Sequence, residues 1–201
     1  MKKILFVSML VFVLAISSCS ISFQSSQNPQ NEDKADTANT PAEVEQNQTV
    51  TISVFFPSEK NNADFVSCSK TDPATREVTK SDNLAYLAMM ELFKGPTEAE
   101  KATGLKDFFW ITPATSANLK SVKVINGTAY VNWLDMRMAI SNAGTSCGSA
   151  SFLSPVNDTL KNLPGINNVV HAINGKPATF YEWMQLSCPQ ESNNCDATPF
   201  N

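Results

Sequence analysis

Side chains able to do chemistry are sparse in this sequence. Its 201 residues hold one histidine, His171, and five cysteines, Cys19, Cys68, Cys147, Cys188 and Cys195. A single imidazole excludes the two- and three-histidine zinc sites, so neither a metal nor another cofactor is expected. His171 stands in an alternating stretch with Val169, Val170 and Ile173. A catalytic histidine needs a nucleophile and an orienting acid beside it, so a strand histidine that is satisfied by its neighbours or exposed at an edge is the simpler expectation. Glu98 with Glu100, and Asp135 with Asp158, are the carboxylate pairs a glycoside hydrolase would use, but helix capping and solvation explain the same residues. No residue is nominated as catalytic. Two aromatic clusters, Phe108-Phe109-Trp110 and Phe180-Tyr181 with Trp183, carry more weight. Phe109, Trp110, Tyr181 and Trp183 form a candidate binding surface if they share an exposed patch, and core if they do not.

Cys19 has a context of its own. Lys2 and Lys3 precede an apolar run from Ile4 to Ile16, which is short of the roughly 20 residues a membrane span needs. Ile16-Ser17-Ser18-Cys19 closes the run with small residues and a thiol. The series resembles a bacterial lipobox, in which the cysteine sulfur receives a diacylglycerol and cleavage leaves that cysteine as the new N-terminus. Residues 1–18 are accordingly a lipoprotein signal peptide and Cys19 the lipidation site. The expected location is extracytoplasmic, anchored to the bacterial membrane by acyl chains, two or more of which hold firmly where one is marginal.

The segment 19–48 is rich in Ser, Gln, Asn and acids and has no apolar periodicity. Such a composition cannot bury enough apolar surface to offset ordering, so a disordered tether is expected. Residues 49–188 are the foldable domain and 189–201 a polar tail. The net charge of −4 belongs to the flexible parts, because the domain balances twelve acidic against twelve basic residues. With no basic cluster, nucleic acid is excluded as a partner. The remaining cysteines, Cys68, Cys147, Cys188 and Cys195, have no C-x-x-C spacing, which disfavours a redox or metal centre. In an exported chain they predict disulfides, with three pairings left open by the sequence.

The positioning elements follow from periodicity. Ile52, Val54 and Phe56 alternate with Thr51, Ser53 and Phe55, which predicts a half-buried strand stopped by Pro57. A weak strand is expected near Asp64–Ser69, with a short extended piece at Arg76–Thr79. Ser81 or Asp82 offers a cap for a helix that Gly95-Pro96 stops, and Thr97-Glu98-Ala99-Glu100 spells a capping box. Val122–Ile125, Asn126-Gly127 and Thr128–Trp133 predict a tight hairpin that pairs Val124 with Ala129 and Val122 with Val131. After a Gly/Ser/Asn loop at 141–149, a second helix runs to about Leu163, either starting at Ser154-Pro155 or kinked there. Asn168–Asn174 is the last strand. The order strand, helix, hairpin, helix, strand is α+β: a small mixed sheet with two helices packed on one face.

That order and its wording resemble the GerMN domain, named from a sporulation and germination lipoprotein. The resemblance rests on the helix Leu84–Phe93 leading into Lys94-Gly95-Pro96-Thr97 and Glu100, on the hairpin Val122–Trp133, and on Thr159-Leu160 through Leu163-Pro164-Gly165 to Asn174-Gly175. It implies a fold similar to the ring-building modules of bacterial secretion-type assemblies, and a non-catalytic role. The implied partners are another envelope protein or a second copy of the chain. Two rival readings are a peptidoglycan- or carbohydrate-binding module and an envelope hydrolase. The resemblance also implies pairing of Cys68 with Cys147, which leaves Cys188 with Cys195. The sporulation protein carries two such domains and this chain one, and Pro155 interrupts a helix the family keeps continuous.

Overall fold

The structure, a computed structural model, describes residues 48–60, 62, 66–107, 112–189 and 195–201. Residues 1–47, with the expected signal peptide, Cys19 and nearly all of the expected tether, lie outside the described residues. The element order is β1 (Thr49–Pro57), β2 (Thr71–Thr79), α1 (Leu84–Phe93), α2 (Glu98–Ala102), β3 (Leu119–Ile125), β4 (Thr128–Trp133), α3 (Ser146–Lys161), β5 (Asn168–Ile173) and α4 (Pro177–Trp183). Single 3-10 turns at Pro113–Asn118 and Thr198–Phe200 complete it.

The α+β class holds, but the strands form two sheets rather than one. β1 pairs antiparallel with β2. β4 lies between an antiparallel β3 and a parallel β5, so the mixed sheet is β3-β4-β5. The parallel pair requires a crossover, and α3 supplies it. The second strand falls at Thr71–Thr79 and not near Asp64–Ser69; the short piece at Arg76–Thr79 is its end. Its sequence, TDPATREVT, has only Ala74 and Val78 buried, so the pattern is faint and pairing with β1 supplies the order.

The hairpin has the expected register, Val124 opposite Ala129 and Val122 opposite Val131. Asn126 and Gly127 take φ of 49° and 77°, the left-handed pair that a type I′ turn needs. α1 is capped by Asn83, whose side chain accepts from Tyr86 N–H, rather than by Ser81 or Asp82. α2 carries the capping box, with Thr97 and Glu100 satisfying each other's backbone N–H groups.

α3 settles the question around Pro155. The helix starts at Ser146, capped by Thr145, and Pro155 sits buried inside it. Gly148 in its first turn is obligatory: a Cβ there would lie 2.0 Å from the carbonyl oxygen of Asn142. α3 is pinned to the first sheet by two side chains. Thr159 Oγ1 accepts from Phe55 N–H at 2.9 Å, and Thr71 Oγ1 donates to Asp158 at 2.5 Å.

The two long helices share one face of the mixed sheet. Trp133 of β4 meets Phe93 of α1 at 6.4 Å and Phe152 of α3 at 5.6 Å, both edge to face. Edge-to-face pairs add roughly 0.5–1.5 kcal/mol each beyond the area they bury. Two features went unexpected. α4 forms after the Asn174-Gly175 turn with Pro177 at its start. The segment read as a polar tail also docks: Phe200 is buried against Tyr130, rings 5.4 Å apart, and Lys123 Nζ donates to the backbone oxygen of Asn201.

Candidate binding surface

The only histidine is structural. His171 is buried on β5, stacked on Phe180 with centroids at 4.8 Å and lying edge to edge with the nearly coplanar Trp133, centroids at 6.3 Å. Trp133 Nε1–H donates to its Nδ1 at 3.2 Å, which makes Nδ1 an acceptor and places the proton on Nε2, 2.9 Å from Asn157 Oδ1. Burial pushes its pKa down to about 3, so the ring stays neutral. His171 N–H in turn donates to Tyr181 Oη at 3.2 Å, and burial raises that phenol to about 12. No acid or nucleophile touches the ring among the described residues.

The carboxylates drawn as catalytic pairs are each held elsewhere. Glu100 takes Arg76 Nη1 and Nη2 at 2.6 and 2.9 Å as well as Thr97 N–H, and the Arg76 hydrogen bonds hold its pKa below the usual range. Glu98 pairs with Lys101, and Asp158 with the Thr71 hydroxyl. Asp135 is gripped by Arg137 through Nε and Nη2, and its pKa falls to about 2. Two short spellings look nucleophilic. Gly144-Thr145-Ser146-Cys147-Gly148 has Gly-x-Ser-x-Gly spacing, but Ser146 opens α3 from a loop instead of a strand-to-helix turn, and Cys147 is in a disulfide. Ser67-Cys68-Ser69-Lys70 lies in a turn, where Cys68 is likewise bridged.

The cysteines join as the resemblance implies, Cys68 to Cys147 and Cys188 to Cys195, with Cα separations of 5.3 and 5.4 Å. The aromatic patch does not assemble from the residues the structure describes. Tyr181 is buried, and Trp183 is half-buried against Phe152 and Phe180. Their rings fill the space under α4 because α4 closes the outer side of β5, which an isolated reading of residues 180–183 does not reveal. Phe109 and Trp110 lie outside the described residues.

Two surfaces remain. The first is a half-open cavity of about 310 Å³ beyond the carboxyl ends of β4 and β5. Asp135, Arg137, Asn174, Lys176, Thr179 and Glu182 are among the residues that line it. The second is the outer edge of β3. In a two-residue hairpin Ile125 and Thr128 exchange hydrogen bonds, so Val122 and Val124 turn their N–H and C=O groups away from β4. No backbone hydrogen bond among the described residues reaches that edge. Val124 and Ile125 are 47% and 41% exposed there. The hairpin is legible in the sequence, but which of its strands lacks a second strand partner among the described residues depends on β5 choosing β4.

A family model described as "Germane: Sporulation and spore germination" matches residues 53–179, well over half of the chain. No curated protein matches significantly. Among solved structures, the tandem GerMN domains of the sporulation protein GerM from Bacillus subtilis are 22% identical, with a TM-score of 0.44 over 69% of this chain. The chain spans 43% of that tandem protein. A Clostridium perfringens protein provisionally titled a lipoprotein is 18% identical, with a TM-score of 0.34 over 63% of this chain and 75% of its own. The family model covers the second half of β1, the capped helix pair, the hairpin, α3 and β5 together, and the chain therefore belongs to the Germane family of sporulation and spore germination domains.

Proposed function

We propose that the chain is a lipid-anchored, extracytoplasmic envelope lipoprotein whose Germane domain is a non-catalytic binding and assembly module for other proteins. The open β3 edge supports this most directly, because unpaired strand groups beside exposed apolar side chains are what a protein partner uses. The bound state of every candidate carboxylate, and the neutral buried His171, leave hydrolysis without a nominated acid. Anchoring comes from the lipobox reading of Ile16–Cys19. Two measurements test the proposal. Cys19→Ala should release the full chain from membrane fractions, and persistent sedimentation with membranes would contradict the anchor. The full chain should form concentration-dependent oligomers or a defined complex with an envelope protein; a strict monomer with no partner would overturn the module reading.

The polar cavity beside α4 favours a second reading, binding of peptidoglycan or another carbohydrate. Retention of the chain by purified sacculi, lost on Arg137→Ala and kept in Val124→Pro, would support it.

A further inference from the structure

We infer that the β3 edge accepts an extended, acidic segment of a partner protein as an added strand; the inference rests on the binding-module reading and names its surface. The stretch left open among the described residues is short and defined at both ends. The Asn126-Gly127 turn closes one end. A register shift between Leu119 and Ser121 closes the other, leaving Lys120 as the extra residue of a bulge. Between them Val122 and Val124 present two N–H donors and two C=O acceptors, which suits a partner strand pairing over about five residues. Val124 and Ile125 give that strand apolar side chains to lie beside, one on each face of the sheet.

Charge selects the partner. Lys120 is exposed and has no ion pair among the described residues, and Lys123 is exposed with its ammonium on the Asn201 backbone oxygen. Lysines on an edge strand discourage pairing with a second copy, because two β3 edges would bring their ammonium groups together. An incoming strand that alternates acidic and apolar residues meets opposite charge instead. The acceptor edge and the lysines are on the same strand, so affinity from the backbone and selection by charge act on one segment.

The test uses the purified full chain and a fluorescein-labelled, end-blocked hexapeptide of alternating Val and Glu, followed by fluorescence anisotropy. Saturable binding is expected, weaker at high salt, and weaker again for a Val/Lys peptide. Val124→Pro removes an outward N–H that β4 does not use, and should weaken binding about tenfold, as should Lys120→Glu with Lys123→Glu. N-methylation of alternate residues on one edge of the peptide should cause a similar loss with the protein unaltered, which covers the case of a misfolded proline variant. Absence of saturable binding, or binding indifferent to both N-methylation and the lysine reversal, would overturn the inference. Binding that appears only after deletion of residues 20–47 would assign the edge to the chain's own acidic tether and overturn it too. So would a dimer formed without peptide and abolished by Val124→Pro. An envelope partner that still crosslinks to Val124→Pro in cells would sink the edge while sparing the wider module reading.

Discussion

His171 makes the stability of the domain depend on pH, with a size fixed by its burial. An imidazole in the unfolded chain titrates at its ordinary 6.5, whereas the folded ring does so at about 3. Between those values the unfolded state binds one proton more than the folded state, so stability rises with pH there. The contribution is complete above about pH 6.5 and is lost as pH falls toward 3. Over the whole window it amounts to roughly 5 kcal/mol, and from pH 7 to pH 5 about 2 kcal/mol is lost. The physical cause is twofold. Charging the ring would leave an imidazolium without solvent, and a proton on Nδ1 would confront the Trp133 Nε1–H that now donates to it. The carboxylates with lowered pKa values, Glu100 and Asp135, act in the same direction but only below about pH 4.5. Urea unfolding at pH 7 and pH 5 therefore isolates His171. The full chain should lose about 2 kcal/mol on acidification, and His171→Gln, less stable at both values, should lose almost nothing. An equal loss in both proteins, or an imidazole that titrates near 6.5 in the folded chain by NMR, would refute the reasoning.

Other consequences are simpler to check. In the chain-entropy model the Cys68–Cys147 bridge, which closes 79 residues, is worth about 4.5 kcal/mol, and Cys188–Cys195, which closes 7, about 2.4 kcal/mol. Paired Cys→Ala variants should follow that order in chemical denaturation. Thr159→Val leaves Phe55 N–H without its acceptor and should cost about 1–3 kcal/mol by the same assay. Phe200→Ala should expose Tyr130 and raise hydrogen exchange in β3 and β4 more than in β1.

The parts of this molecule that were legible in sequence are those where two local signals agree. Asn126-Gly127 supplies left-handed backbone at the place where the apolar alternation of Val122 and Val131 demands a turn, so the register follows without tertiary help. The Thr97–Glu100 capping box is legible for the same reason. β2 was not, because Asp72-Pro73-Ala74-Thr75-Arg76 has the composition of a loop and becomes a strand only through its partner. The start of α3 was hidden by Gly148 and by the serines around it, which are weak helix formers held in place by close packing and a disulfide. Phe200 is one aromatic residue in a polar run, and nothing local says that Tyr130 is waiting for it. The candidate surface was half legible. The strand carrying it could be read, but its lack of a second strand partner among the described residues follows from long-range strand order, and Tyr181 and Trp183 were absorbed by packing under α4.

The central claim is that this domain acts by holding a protein partner at the envelope. The most direct measurement is photo-crosslinking in intact cells, with the reactive residue placed in the full, anchored chain at Val124, Ile125 or the exposed Met138. The account predicts a discrete protein adduct from the β3 positions, weak or absent at Met138, and lost when Cys19→Ala frees the chain from the membrane. A folded, anchored chain that gives no protein adduct at any of these positions would contradict it.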